Sequence, residues 1–217
     1  ALNTHDQVDA IMLDFNKAFD KVSHRKLTHK LDHYGIKGKT LLWVAAFLSN
    51  RTQFVSVDGS HSSHANVISG VPQGTVLGPT LFLLYINDIV NCCCSTVRLF
   101  ADDAVLYRKI SASSDHVSLQ CDLQNLESWA KLWQMSFNVT KCKLLLITNK
   151  KQPSNFNYYL NSQHMTSTDE YDYLGIKCRR DLRWSSHSSK VCNKANKTLG
   201  LLRRILKPCS QHVKEQA

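Results

Sequence analysis

An apolar run from Val97 to Ala101 stops at Asp102-Asp103, and a second apolar run follows it through Tyr107. This is the pattern of a β-hairpin that turns on two aspartates between buried strands. Another apolar stretch, Val8 to Phe15, is interrupted only by Asp9 and carries Asp14 near its end. Carboxylates held in such settings need something to offset their charge. A divalent cation is the natural candidate, because hard oxygen ligands suit Mg²⁺. The plain alternative for the Asp-Asp pair is a solvated turn in an ordinary hairpin.

If the three strands are neighbours in one sheet, Asp14, Asp102 and Asp103 converge at one edge. Two Mg²⁺ ions about 3.5–4 Å apart would neutralise that cluster and clamp an in-line phosphoryl displacement. That is the chemistry of nucleic-acid polymerases.

Other elements must position these residues. Arg25 to Tyr34 reads as an amphipathic helix stopped by Gly35. Lys39 to Leu48 reads as a second, with Leu41, Leu42, Val44, Ala45 and Leu48 inward. Thr52 to Asp58 alternates and can pair with Ala65 to Ser69, with Asp58-Gly59 as turn chemistry. A rigid loop, Gly70 to Gly74, leads into a long helix over Thr75–Val90. Asp115 to Met135 is a further helix, with Val117, Leu119, Leu123, Leu126, Trp129, Ala130 and Trp133 at mostly helical spacing. Lys143 to Thr148 is a strand. Asn149 to Asn155 is a polar connector, and Tyr158 to Met165 and Tyr171 to Cys178 read as strands. Ser185 to Leu206 is a basic, polar helix. The order predicts an α+β fold, an antiparallel sheet with helices on one face.

The chain has 217 residues and 43% hydrophobic content, ample for a packed core. No stretch is long or apolar enough to span a membrane, and the N-terminus shows no secretory pattern. The eight cysteines include the run Cys92-Cys93-Cys94 and no Cys-x-x-Cys pair. They are read as reduced thiols of an intracellular protein, in the nucleus or the cytoplasm. The histidines His61, His64, His116, His164 and His187 show no ligand spacing. The net charge of +10 is lopsided, for residues 1–140 balance and residues 141–217 carry the whole excess. A basic third beside a neutral two-thirds suits a nucleic-acid backbone, with a solvated basic surface as the alternative.

Four blocks occur in order: Asp14-Phe15-Asn16-Lys17-Ala18-Phe19-Asp20-Lys21-Val22-Ser23-His24, Gly70-Val71-Pro72-Gln73-Gly74-Thr75-Val76-Leu77-Gly78-Pro79, Leu81-Phe82-Leu83-Leu84-Tyr85-Ile86-Asn87-Asp88-Ile89 and Phe100-Ala101-Asp102-Asp103. Together they resemble the reverse-transcriptase domain of non-LTR (LINE-type) retrotransposons, from about Asp9 to Trp184. The resemblance implies a polymerase palm over residues 1–148, a strand hairpin resembling the primer grip over 149–184 and a partial basic helical thumb over 185–217.

It also implies roles. Asp14 and Asp102 would be metal ligands for two Mg²⁺, with Mn²⁺ as a substitute, Asp103 a third carboxylate, and Phe15 a ligand through its carbonyl. Phe19 would be the steric gate against ribonucleotides; a core aromatic is the other reading. Gln73 and Gly74 would form the loop over the templating pair, with Pro72 fixing it. Lys141 would neutralise or protonate the leaving pyrophosphate, or be a surface charge. Tyr173, Leu174 and Gly175 would hold the primer end, unless the aromatics are ordinary strand packing. Lys190, Lys194 and Lys197 share one helix face suited to phosphates. Asp20 and Asp88 are read as structural. The partners would be an RNA template, a DNA primer and dNTPs.

The pattern departs in places. The basic fingers segment that family members carry upstream is largely missing, no endonuclease domain is present, and the thumb is short. Cys178-Arg179-Arg180-Asp181 replaces an acidic turn. These departures predict a piece cut from a larger polyprotein or a fragmentary transposon-derived gene. The expectation is an RNA-directed DNA polymerase domain. The alternatives are a catalytically silent nucleic-acid-binding remnant and a structural or interaction protein.

Overall fold

A computed structural model describes residues 6–208, so the last nine residues of the expected thumb, 209–217, lie outside the described part. At its centre is β1 (Gln7–Asp14), a strand buried along nearly its whole length. It is flanked by two antiparallel strands, β3 (Asp103–Lys109) and β4 (Lys143–Thr148). β2 (Thr96–Phe100) pairs with the outer edge of β3, and the short β5 (Ser167–Thr168) runs parallel to β4. The sheet order is therefore β5-β4-β1-β3-β2.

Strand alternation divides β1 between two faces. Ile11 and Leu13 enter the main core, with Leu27 and Leu31 of α1 (His24–His33), Leu81, Phe82 and Tyr85 of α3 (Leu77–Ile86), and Leu119, Leu123 and Leu126 of α4 (Ser113–Leu132). Each such fully buried side chain contributes about 1.5–3 kcal/mol. Ala10 and Met12 face the other way with Val105 and Leu145. That second face is covered in part by Tyr171, Tyr173 and Cys178 of the hairpin β6 (Glu170–Tyr173) and β7 (Ile176–Arg179). Helices pack on one face, as expected, and a hairpin lies on the other; the sheet is not wholly antiparallel as expected, because β5 runs parallel to β4.

The far end of β1 is held by a buried polar network. Asp9 accepts from Gln7 Nε2 and from the Tyr158 hydroxyl, both at 2.8 Å, and lies 3.2 Å from His116 Nδ1. His116 Nε2 is 2.9 Å from Ser154 Oγ, and the Ser154 N–H donates to Gln7 Oε1. This network anchors the polar connector to the sheet. Burial raises the Asp9 carboxyl above its ordinary range. His116 is thus a satisfied core histidine.

Several sequence expectations change. The hairpin turns on Ala101-Asp102, because Phe100 pairs with Asp103; Asp103 belongs to β3 rather than to the turn. Ala101 has φ +50°, as a type II′ turn requires at its first position. The long helix over 75–90 is shorter: α3 begins at Leu77, and Asn87–Cys92 tightens into a 3₁₀ turn. Thr75 Oγ1 donates to the Pro72 carbonyl and accepts from the Gly78 N–H, which holds the first residues in the loop. In α2 (Gly38–Leu48), Val44 and Leu48 are buried but Leu42 is 70% exposed. Val117 is exposed as well. The pairing of 52–58 with 65–69 survives as two-residue pieces, with Asp58-Gly59 turning between Ser56–Val57 and Ser60–His61. Tyr158 to Met165 and Tyr171 to Cys178 each fold back on themselves, at Asn161-Ser162 and Leu174-Gly175.

Asp88 and Lys30 form a second internal device. Lys30 is nearly buried, pairs with Asp88 at 2.5 Å and hydrogen-bonds the Tyr85 carbonyl. Its ammonium lies 3.7 Å from the Trp133 ring centre. Asp88 also accepts from Trp129 Nε1 at 3.1 Å. Asp88 is structural, as the sequence suggested.

Candidate active site

β1 ends at Asp14 and β3 begins at Asp103, and the two residues are register partners. Directly opposed residues of an antiparallel pair project from the same face. That face is the one carrying Ala10, Met12 and Val105, where the β6–β7 hairpin lies. Asp102 occupies the adjoining turn. Burial and the charges of Asp102 and Asp14 raise the Asp103 carboxyl above its ordinary range.

Asp14 Oδ1 is buried and has no hydrogen-bond partner. Its nearest cation is Lys141 Nζ at 3.6 Å, on a side chain 65% exposed. With no hydrogen-bond donor, that oxygen has only this exposed ammonium to offset its burial. The backbone around it is fixed. The Asn138 N–H donates to the Asp14 carbonyl and the Asn16 N–H to the Ser136 carbonyl, both at 2.8 Å. These bonds flank the Phe15–Phe137 bridge and leave the Phe15 carbonyl out of it. The Phe15 ring stacks on Phe137 at 4.7 Å. Cys142 Sγ receives the Asp14 N–H at 3.4 Å, and burial raises its thiol pKa.

This donor set fits a divalent cation. Among the described residues, no three His, Cys, Asp or Glu side chains are gathered into a ready-made cage. Mg²⁺ is commonly held by one or two carboxylates plus substrate phosphates, so a complete protein cage is not required.

Phe19 heads a 3₁₀ turn, Phe19–Lys21, just past Asp14. Its half-buried ring stacks on Phe82 at 4.3 Å. The Gly70–Gly74 loop is sewn to this turn: the Val71 N–H donates to the Phe19 carbonyl and the Gly70 N–H to the Val22 carbonyl, both at 2.8 Å. Gln73 Nε2 donates to Asp20 Oδ1 at 3.3 Å. Gly74 has φ +77° and open space where a Cβ would stand.

Tyr173, Leu174 and Gly175 form the tip of the β6–β7 hairpin, with φ of +48° and +81° at Leu174 and Gly175. Burial and the Asp103 charge raise the Tyr173 hydroxyl. α5 (Ser185–Leu206) has no buried residue and follows this hairpin. Lys190 on α5 pairs with Asp172 of β6 at 2.7 Å. Lys194 and Lys197 are exposed on the same helix.

Phe137, Cys142, Gly70 and Gly78 carry supporting roles that sequence reasoning did not assign. A Cβ on Gly78 would stand 2.0 Å from the Pro72 carbonyl oxygen, and one on Gly70 would stand 2.9 Å from the Asp20 backbone. For the two glycines the only sequence signal was their place in the second block.

Residues 3–178 match the family model described as reverse transcriptase (RNA-dependent DNA polymerase). The chain belongs to that family. The chain is 32% identical over 200 residues to the RNA-directed DNA polymerase from mobile element jockey of Drosophila melanogaster, covering 88% of this chain and 22% of that protein. It is 27% identical over 203 residues to the probable RNA-directed DNA polymerase from transposon X-element of the same organism, covering 88% and 22%. These are non-LTR retrotransposon proteins, and the chain spans about a fifth of their length. Among solved structures, an apo telomerase from Candida tropicalis, truncated from its C-terminal domain, matches with a TM-score of 0.53. The match has 12% identity over 83% of this chain and 35% of that one. It supports the fold of this chain, a mixed sheet-and-helix arrangement consistent with a polymerase palm. No described helix is long and apolar enough to cross a membrane.

Proposed function

We propose that this reverse-transcriptase domain adds dNTPs to the 3′-hydroxyl of a DNA primer on an RNA template. The observation that carries the reading is the pairing of Asp14 with Asp103, next to a buried oxygen of Asp14 that receives no hydrogen bond. Asp14, Asp102, Asp103 and the Phe15 carbonyl would hold two Mg²⁺ (or Mn²⁺), which when bound neutralise the phosphates and lower the pKa of the attacking hydroxyl.

The chain's own residues do the rest. Lys141, beside Asp14, neutralises or protonates the leaving pyrophosphate. Phe19, braced by Phe82, meets the 2′-position of the nucleotide and disfavours a hydroxyl there. Gln73 and Gly74 lie over the templating pair. Tyr173, Leu174 and Gly175 hold the primer end, and Lys194 and Lys197 meet duplex phosphates. Lys190 joins them only by exchanging Asp172 for a phosphate. The palm, primer-grip hairpin and partial thumb divide at 1–148, 149–184 and 185–217 in this reading.

Primer extension on an RNA template with dNTPs and Mg²⁺, comparing the chain with Asp102→Ala, tests it. Extension lost in the variant supports the assignment. Duplex binding without extension by either protein would favour a silent remnant.

A further inference from the structure

A cleft of about 430 Å³ lies between α1 and the end of α4, lined by Arg25, Lys26, His29, Leu132 and Trp133. It sits on the outside of the helical layer. Leu27 and Leu31 turn inward to the core they share with Ile11 and Leu13, whereas Arg25 and His29, one helical turn apart, are exposed. Asp14 and Asp103 project from the other face of the sheet, so the cleft is separate from the carboxylate edge.

The floor of the cleft is fixed in place. Lys26 Nζ donates to the Leu132 carbonyl at 2.6 Å, which ties the last residue of α4 to α1. The Tyr85 hydroxyl donates to the Trp133 carbonyl at 2.5 Å. The ammonium groups of Lys30 and Lys26 stand 3.7 Å and 5.7 Å from the centre of the Trp133 ring. Leu132 is left 61% exposed at the end of a helix whose other large apolar side chains mostly pack inward.

The lining carries charge of one sign. It contains no carboxylate, and Asp32, the one acid of α1, falls outside it. Among the described residues, neither Arg25 nor His29 is ion-paired. Lys131, next to Leu132, is exposed and adds to the same sign. An apolar centre beside free cations is complementary to an apolar side chain flanked by carboxylates. A guanidinium such as that of Arg25 can take a carboxylate through two parallel hydrogen bonds. A nucleic-acid strand is a poorer match. A base stacking on Trp133 would have to displace the ammonium groups already over the ring, and phosphates offer Leu132 no apolar contact.

We infer that this cleft is a docking site for an acidic peptide segment, which seats an apolar side chain against Leu132 and Trp133 and a carboxylate on Arg25. The inference stands independently of the polymerase reading. Arg25 and Leu132 are exposed, so both can be substituted without opening the core.

The test is fluorescence anisotropy with a fluorescein-labelled helical peptide that carries Leu on one face and Glu on the other. It is titrated with the whole chain, Arg25→Glu, Arg25→Gln and Leu132→Ser, and circular dichroism verifies that each variant is folded. The wild-type chain should bind the peptide, and Arg25→Glu and Leu132→Ser should each weaken binding about tenfold, with Arg25→Gln between. A peptide with Gln in place of Glu should bind more weakly, and an unlabelled RNA–DNA duplex should not displace the acidic one. A wild-type chain that does not bind the peptide, or variants that bind it as tightly as the wild type, would overturn the docking site. Displacement by the duplex, with Arg25→Glu weakening duplex binding, would overturn it in favour of a nucleic-acid surface.

Discussion

Asp14 and Asp103 face each other across β1 and β3 as the last register pair of the two strands. The pairing follows from where the hairpin turns. Because Ala101 takes the positive φ, the turn closes on Phe100 and Asp103, and the second aspartate of the pair becomes the first residue of a strand. A shift of the register by one residue would turn Asp103 toward the helices.

Phe19 serves two purposes on the present account, and they are separable. Phe19→Val should relax discrimination against ribonucleotides, read as the ratio of dNTP to rNTP incorporation. It should also cost about 1–3 kcal/mol through lost packing on Phe82. Phe19→Tyr keeps the ring and should retain discrimination. A Val variant that loses stability but keeps full discrimination would make Phe19 a core residue only.

The glycines of the second block should rank by what a side chain would meet. Gly78→Ala drives a Cβ onto the Pro72 carbonyl at 2.0 Å and should be the most damaging, at about 3 kcal/mol or more. Gly70→Ala combines a 2.9 Å approach with φ +90° and should follow. Gly74→Ala meets open space and should cost only about 1 kcal/mol for its φ. Urea unfolding of the three variants checks the order.

Lys30 gives a pH signature. Burial lowers its pKa from 10.5 despite the opposing pull of Asp88. The unfolded chain therefore binds more protons just below pH 10.5, and stability attributable to Lys30 rises with pH in that window. The Tm of the wild type relative to Lys30→Met should climb between neutral pH and about pH 10, in the direction of that linkage. Asp88→Ala at pH 7 should cost about 3 kcal/mol, because it strands a buried cation.

Tyr158 separates fold from chemistry. Tyr158→Phe leaves Asp9 Oδ2 without its hydroxyl donor and should cost about 1–3 kcal/mol. Asp9 lies at the opposite end of β1 from Asp14, so extension by the folded variant should be unchanged below its Tm. A large loss of activity with unchanged stability would contradict this division.

Much of the fold was legible because local pattern and tertiary demand agree. β4 and α5 fall where a short apolar run and a long polar, basic stretch put them, Lys143–Thr148 and Ser185–Leu206. The carboxylate edge was legible because an aspartate is conspicuous within an apolar run. What the sequence hid depends on contacts between distant residues. The start of α3 is set by Thr75 and Gly78 against Pro72, a contact invisible to helical periodicity. α2 is apolar on all sides, so its pattern could not tell Val44, buried, from Leu42, exposed. The support of Asp14 by Phe137 and Cys142 joins segments more than 120 residues apart, and neither residue type announces such a role.

The central claim is that the paired carboxylates perform nucleotidyl transfer. The most direct measurement is RNA-templated incorporation of dNTPs in Mg²⁺ by the chain, Asp14→Asn and Asp103→Asn, with primer–template affinity measured in parallel. The account predicts that the wild-type chain extends the primer. It predicts that both variants bind the primer–template equally well but lose extension by about a thousandfold or more, as expected when a transition-state charge loses its support. Extension that persists in Asp14→Asn, or a wild-type chain that binds the duplex and never extends it, would contradict it.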